Sequence, residues 1–443
     1  MNQLIKLTDL FQTKELSFLR PTDNLYFNGA CHTPISLQAL EALQNYHELF
    51  GVCSSRGDLG SVSENLNELV EETRHLILQN LKLNASEWDV VFCSNATQGL
   101  NMAINIMSHY LRQEHYNFEV SIHPLSHNSV YIPAKKVIRK YKVPELELDL
   151  NMKPEYKEKV KTHRLLCMPY IDNAIGYNHY QYFYRNIDNR KFLGKPKNHE
   201  HIVLDACQAG TTIFNPIKGD LPLLNPCGAI AFSAHKMHSE HLGILVIRKK
   251  YLEKIDLFEV DGVYAGGGTL LNISSTGKPL LHHSHIGLEA GLLNDGAILA
   301  LGAWLKFLSK YKHNLLAEMQ EFTCKLKKGV QDFCVPELEI LSIPHYRKIK
   351  ENGLTNNNII LLQPRSGGFP SSELGARLFE KKVECRVGKF CVDAGLAKFG
   401  IESAVRLSLD WSINNDKEYR EIDKLISILA EIADEMHKDR TSI

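Results

Sequence analysis

No apolar run in this sequence approaches the roughly 18–20 residues that a membrane-spanning helix needs. An excess of one charge is also missing: 51 Lys+Arg balance 51 Asp+Glu. Bulk electrostatic attraction to nucleic acid or an anionic membrane is therefore not expected. Residues 1–14 carry Lys6 and Asp9 without a long apolar core, so no signal peptide is expected there. The ten cysteines, at 31, 53, 93, 167, 207, 227, 324, 334, 385 and 391, form no C-x-x-C pair. A chain of 443 residues can bury a core without a disulfide framework, which points to reduced thiols in a cytoplasmic protein. The H-E-x-x-H spacing of zinc sites and both glycine-rich phosphate-loop spacings are absent too. Histidines crowd at His235, His238 and His241 and again in His282-His283-Ser284-His285, but no metal is expected at either cluster.

What is present is ordinary globular composition, 44% hydrophobic and 23% charged, which excludes disorder and fibrous repeats. The length allows two domains or one large α/β unit. From about residue 60 to 305, short β-rich runs alternate with helical spacing. Strands are expected at 90–93, 119–123, 165–170, 201–206, 229–234 and 243–248. Leu66, Leu69, Val70, Leu76 and Ile77 mark one face of a helix running toward Leu81, and 97–111 and 129–141 are two more. This alternation predicts an α/β fold with a mostly parallel sheet covered on both faces. Ligands of such sheets collect at the carboxyl ends of the strands. A long apolar helix at 296–308 leads into a mixed α/β tail, which ends in an amphipathic helix over 419–438. Lys-rich stretches at 325–328 and 347–350 read as solvated faces. The expected division is an N-terminal arm (1–59) joining the small domain, a large domain (60–305) and a small C-terminal domain (306–443).

The strand ends carry the chemistry. One expected strand ends in Ser233-Ala-His-Lys236, another in Asp205-Ala-Cys-Gln208. A lysine or an aspartate alone would be a surface salt-bridge partner by default, but together they suit pyridoxal 5'-phosphate. That cofactor needs an amine to hold its aldehyde and a carboxylate to keep its pyridine nitrogen protonated, so that the ring draws electrons. Its phosphate needs hydroxyls and backbone N–H groups at a helix start, and Ser94-Asn-Ala-Thr97-Gln98-Gly99 follows a strand and opens a helix.

Taken together, Tyr26-Phe-Asn-Gly-Ala-Cys-His-Thr-Pro34, Ser126-His-Asn-Ser, Asp172-Asn-Ala-Ile-Gly176, Asp205-Ala-Cys-Gln208, Ser233-Ala-His-Lys236 and Glu289-Ala-Gly291 resemble aminotransferase class V. These are fold-type-I pyridoxal-phosphate enzymes, and the group includes the cysteine desulfurases. The resemblance implies a large mostly parallel sheet domain with a smaller α/β C-terminal domain, and a homodimer. It implies that Lys236 holds the cofactor and shuttles the substrate Cα proton. Asp205 would pair with the pyridine nitrogen, Gln208 would touch the ring hydroxyl, and His127 would stack on the ring. Thr97, Gln98, Ser233 and His235 would hold the phosphate. Asn173 would face cofactor and substrate, and Arg406, in Ala404-Val-Arg-Leu-Ser-Leu, would take the substrate carboxylate through its two-pronged fork.

A second block, Cys385-Arg386-Val-Gly-Lys-Phe-Cys391, is similar to the loop that presents the attacking thiolate in desulfurases. Molybdenum-cofactor sulfurases have a similar loop, with Phe just before Cys as in Phe390-Cys391. Arg386 and Lys389 are cations that favour a thiolate. His32 and Arg56 are counted with the substrate pocket, the alternatives being a turn histidine and a surface arginine. The sequence departs from the family at Leu292, where a threonine usually reaches the partner subunit's phosphate, and at Lys389-Phe390, which replace His-His. Asp410-Trp-Ser-Ile-Asn-Asn-Asp also stands in place of the usual tail pattern.

These observations leave a desulfurase acting on L-cysteine through Cys391, or an aminotransferase, epimerase or lyase in which Cys391 is inert. A cofactor-free binding protein is disfavoured, because burying Lys236, Asp205, Gln208 and His127 without a ligand is costly. The expected partners are an amino-acid substrate, a second copy of the chain and, because the chain stops soon after its last helix, a separate sulfur-acceptor protein. Nucleic acid and membrane are not expected.

Overall fold

Runs of β-branched and aliphatic residues with no polar interruption can be satisfied only where both faces of a sheet are covered. The computed structural model places them there. It describes residues 4–20, 24–54, 60–114, 117–147, 162–180, 200–214, 224–311, 315–334, 337–341, 358–365, 369–415 and 420–442. Arg56, Tyr419 and the Lys-rich stretch at 347–350 lie outside the described residues. The main sheet has seven strands: β1 (Trp88–Cys93), β2 (Phe118–Ile122), β3 (Glu145–Glu147), β4 (His163–Pro169), β5 (Glu200–Asp205), β6 (Cys227–Ser233) and β7 (Gly243–Arg248). Their order is β1-β7-β6-β5-β4-β2-β3. Only β7 runs against its neighbours, and the other pairings are parallel. All six strands expected from the sequence are present, within two residues at each end. The edge strand β3 was not expected: Glu-Leu-Glu has no apolar run, and an edge strand tolerates polar residues because one side lacks a neighbour.

Successive residues along the central strands serve opposite faces. Leu165, Val203, Ala229 and Leu245 pack with α3 (Ala96–Glu114) and α4 (Asn128–Tyr141) on one side. Leu166, Leu204, Ile230 and Val246 belong to the core on the other. That second face is covered by α5 (Asp295–Leu308), in which 13 of 14 residues are buried; a helix apolar all round has to be enclosed. Its neighbours are α1 (Leu37–Leu49) and α2 (Ser61–Asn80). Gly302 sets the approach of α2, since a Cβ there would lie 2.3 Å from Thr73 Oγ1.

The tail builds a second sheet from β8 (Leu338–Ile340), β9 (Ile359–Pro364), β10 (Arg386–Gly388) and β11 (Ala404–Ser408), in the antiparallel order β8-β9-β11-β10. Beside it pack α6 (Leu315–Phe333), α7 (Ser371–Glu380) and α9 (Arg420–Thr441), while α8 (Asp393–Lys398) follows residue 391. The N-terminal segment joins this sheet. Leu25–Tyr26 pairs in parallel with Val383–Glu384, and Ser408 N donates to Phe27 O at 2.8 Å. All ten cysteines are free, and no helix among the described residues is long and apolar enough to cross a membrane.

One buried ion pair locks the start of the main sheet. Glu289 Oε1 accepts from Phe92 N at 2.6 Å and from Arg74 at 2.8 Å, and Oε2 takes the second prong of the same guanidinium at 2.8 Å. Arg74 also donates to Val90 O and lies over the Phe92 ring. With 6% and 2% of the side chains exposed, neither charge has solvent to fall back on. Arg74 Nε keeps a second, more exposed partner in Glu71 at 2.9 Å, so Glu289→Gln should cost about 3 kcal/mol of stability, the low end of the usual penalty for breaking a buried pair. Denaturant titration measures it, and a loss below about 1 kcal/mol would contradict this account.

Candidate active site

The carboxyl ends of β4, β5 and β6 open onto one cavity of about 90 Å³. Asp205 is the last residue of β5 and Ser233 the last of β6; Lys236 follows in the short turn Ala234–Lys236. Asn173 comes from the loop after β4, and His127 immediately precedes α4. These five residues line the cavity together with Gln208, Thr97 and His235. Eight of the nine residues expected at the cofactor are thus gathered in one place. The ninth, Gln98, faces a larger neighbouring cavity of about 1100 Å³, and its Oε1 accepts from Ser94 N at 2.9 Å and Ser94 Oγ at 2.8 Å.

The loop before α3 presents that helix's first N–H groups, with Asn95 Oδ1 already accepting from Gln98 N at 3.0 Å. This loop fits against β7 only because residue 243 is glycine: a Cβ there would fall 2.1 Å from the Asn95 carbonyl carbon. Nearby, Ser233 Oγ and His235 Nδ1 are buried with no hydrogen-bond partner among the described residues. Burial, then the neighbouring Lys236, pushes His235 down to about 3. His127 Nδ1 accepts from Ser129 N at 3.1 Å, which leaves the proton of the neutral ring on Nε2. Burial lowers its pKa; Asp205 opposes this, while Lys236, Arg406 and Arg386 reinforce it. One imidazole therefore senses all four charged side chains.

A chain of amides links the cavity to the second sheet. Gln208 Nε2 donates to Ala30 O at 2.9 Å and to Asn173 Oδ1 at 2.5 Å. Arg406 on β11 donates from one terminal nitrogen to Asn173 O at 2.9 Å and to Asn173 Oδ1 at 2.8 Å. Arg406 is fully buried, yet its Nε and other terminal nitrogen have no partner among the described residues. Its cross-strand neighbour is Arg386, a second cation. Burial and that neighbour push Arg406 down to about 10.

The expected nucleophile sits beside this pair. Arg386 donates to Cys391 Sγ at 3.8 Å. Phe390 and Cys391 both occupy the left-handed region, at φ 56° and 57°, a conformation disfavoured for residues with a Cβ. Neighbours hold it in place: Asn173 Nδ2 donates to Phe390 O at 2.6 Å, and Asn128 N donates to Cys391 O at 2.7 Å. Lys389, expected to assist Cys391, is exposed. His32 stands outside the 90 Å³ cavity, in a cluster with His235 and His241 at ring separations of 5.7 and 4.9 Å. Two cysteines near the site escaped the sequence reading. Buried Cys207 lines the cavity, and Cys31 Sγ accepts from Arg386 at 3.7 Å. Cys31 lies within the Tyr26–Pro34 block that the sequence singles out, but the block does not reveal its distant partner.

The family model for aminotransferase class-V matches residues 25–425. The chain belongs to aminotransferase class V. A probable cysteine desulfurase of Mycoplasma genitalium is 25% identical over 399 residues, 89% of each chain. A putative cysteine desulfurase of Plasmodium berghei is 25% identical over 309 residues, which are 66% of this chain and 54% of that protein, so the chain spans about half the length of that relative. The crystal structure of the cysteine desulfurase CsdA from Escherichia coli superposes with a TM-score of 0.73 at 17% identity, covering 95% of this chain and 97% of that one. The class V chain thus has the fold-type-I α/β fold that its motifs implied.

Asp410, just past β11, lies against Gly29 at the back of the site. Its Oδ1 accepts from Ser412 N at 2.8 Å, whereas Oδ2 is buried with no partner among the described residues. Burial raises its pKa from 3.8 to about 6. A carboxyl raised on folding favours the folded state below its unfolded pKa, and that advantage is lost as pH rises through the folded value. Between about pH 3.5 and 7.5, stability should therefore shift toward Asp410→Asn relative to wild type, by an amount on the order of 3 kcal/mol. Unfolding titrations across that range test this; a pH-independent difference would show that Asp410 does not titrate in the window.

Proposed function

We propose that this class V chain is a pyridoxal-phosphate-dependent cysteine desulfurase, moving sulfur from L-cysteine to Cys391 and releasing alanine. The observation that carries the reading is the pairing of Cys391 with Arg386 beside the half-satisfied guanidinium of Arg406. An amino-acid carboxylate is the ligand that answers two adjacent cations with free N–H donors.

The residues present fit the cofactor. Ser233 Oγ and His235 Nδ1 are buried polar atoms without hydrogen-bond partners among the described residues, close to the start of α3, as a phosphate site requires. Lys236 and Asp205 face the same cavity. When bound, pyridoxal phosphate supplies an aldehyde for covalent attachment and a ring that draws electrons from the substrate's Cα. Lys236 Nζ would hold it and move the Cα proton, and Asp205 would keep the pyridine nitrogen protonated. Gln208, Asn173 and His127 would contact the ring, and Thr97, Gln98, Ser233 and His235 the phosphate. Arg406 would fix the substrate carboxylate, with Arg386 beside it. Cys391 Sγ takes the sulfur: the substrate C–S bond breaks, an S–S bond forms on Cys391, and the carbon leaves protonated as alanine. His32 stays a candidate for the pocket's outer wall.

The same reading assigns 60–305 to the cofactor domain, 306–443 to the small domain and 1–59 to the arm that joins it. Its free thiols suit the cytoplasm, and a separate thiol-bearing protein is the natural sulfur acceptor. We place a two-fold contact at the 1100 Å³ cavity, whose lining residues Tyr264 and Leu292 are exposed, as are Leu271 and Ile273 of the nearby antiparallel hairpin formed by Leu270–Ile273 and Pro279–Leu281. Light scattering should then give a dimer at micromolar concentration; a monomer would count against this interface.

Variants separate the steps. Lys236→Ala should abolish an absorbance band near ~410–430 nm, the region expected for a lysine-bound cofactor. Cys391→Ser should keep that band and lose alanine and sulfide release by about a hundredfold or more. Undiminished turnover in Cys391→Ser would remove desulfurization and leave an aminotransferase, epimerase or lyase.

A further inference from the structure

Cys31 belongs to the segment between the Leu25–Tyr26 strand and α1, remote in sequence from Cys391, yet the fold brings both to one guanidinium. Arg386 donates through one terminal nitrogen to Cys31 Sγ at 3.7 Å and through the other to Cys391 Sγ at 3.8 Å. A guanidinium is a rigid planar fork, so the two contacts and the width of the fork hold the two sulfurs within roughly 10 Å of each other. Both also sit in the field of buried Arg406. Each is partly exposed, unlike the buried Cys93, Cys167, Cys207, Cys227 and Cys334.

Both cysteines are held at the backbone. Cys31 N donates to Asn28 O at 2.9 Å, and Ala30 N before it donates to Ser408 Oγ at 2.9 Å. After it, His32 O accepts from Tyr26 OH at 2.6 Å and Thr33 N donates to His235 O at 2.9 Å. Cys391 is pinned through its carbonyl to Asn128. Two backbone-held thiols on one shared cation, which can accept negative charge on either, form a geometry for passing a group between them.

We infer that Cys31 is a second sulfur-carrying residue, taking the sulfane sulfur from Cys391 before it leaves the protein. The inference rests on the desulfurase reading. In the step, the Cys31 thiolate attacks the outer sulfur of the Cys391 persulfide. A new S–S bond forms at Cys31, the S–S bond at Cys391 breaks, and Cys391 departs as a thiolate. The transferred sulfur keeps its oxidation level and the persulfide proton stays with it, so no oxidant or reductant is consumed. The negative charge moves from one prong of Arg386 to the other, and Cys391 is free for a second cysteine while the first sulfur waits on Cys31.

The test uses the holoenzyme, treated with L-cysteine without an acceptor, alkylated at successive times and analysed by peptide mass spectrometry. An added sulfur, about 32 Da, should appear first on the Cys391 peptide and then on the Cys31 peptide. Wild type should release about two alanines per chain in its first burst and Cys31→Ser about one, with sulfur on Cys391 only; Cys391→Ser should carry none on either peptide. Sulfur that stays on wild-type Cys391 at every time point overturns the transfer and leaves the desulfurase reading intact. A Cys31–Cys391 disulfide with no sulfane sulfur on Cys31 also overturns it, since attack at the inner sulfur would then be the reaction. No sulfur on either peptide of wild type removes both the desulfurase reading and the transfer.

Discussion

Arg406 carries its charge to a point that water does not reach, and the surroundings of the site are arranged around that fact. A guanidinium has five N–H donors. Asn173 satisfies one terminal nitrogen, while Nε and the other terminal nitrogen have no partner among the described residues. Buried donors left unpaired cost about 1–3 kcal/mol each, and more when the group is charged. Arg386, directly across the strand pair, adds like-charge repulsion. An anion bound there would relieve both costs together. The depressed pKa of Arg406 expresses the same imbalance.

That constraint runs through the fold. Arg406 comes from the second sheet, Asn173 from the loop after β4, Gln208 from the loop after β5, and Ala30 from the N-terminal segment; their hydrogen bonds form one continuous chain. A change in the seating of the N-terminal segment is therefore felt at the amide that orients Arg406. The left-handed pair Phe390 and Cys391 belongs to the same unit. Such conformations cost about 1–3 kcal/mol each and persist only when neighbours fix them, as Asn173 and Asn128 do through the two carbonyls. Strain stored there sets the direction of the Cys391 side chain.

Legibility in the sequence followed the range of the interaction. The central strands could be read because burial on both faces writes an unbroken apolar run into a few consecutive residues. β3 could not, since its place in the sheet comes from one neighbour and not from its own composition. Lys236, Asp205 and Ser233 were legible as polar residues at the ends of apolar strands. The motifs assign Gln98 to the cofactor and His32 to the substrate pocket, but they do not reveal the contact of Gln98 with Ser94 or the histidine cluster around His32, both of which depend on the fold. Glu289 was visible as part of a block, whereas its purpose as the partner of Arg74 depends on a residue 215 positions away. The contact of Arg386 with Cys31 spans 355 positions and has no local signature at all.

The departure from the family's pattern at Phe390 has a physical reading of its own. The ring is 2% exposed and lies 5.1 Å from the Arg406 guanidinium carbon, within cation–π range. It offers no hydrogen bond, so it covers the cation without competing for the two nitrogens that have no partner among the described residues. An imidazole in the same position could accept from Arg406, or add a third positive charge beside Arg386 on protonation. Phe390 instead excludes water while leaving the cation unsatisfied, which strengthens the field of Arg406 on whatever binds there. The neighbouring departure, Lys389, is exposed and free of that requirement. The two substitutions are thus unlike in kind: one changes the dielectric around the buried cation, while the other lies on the surface, where solvent screens its charge.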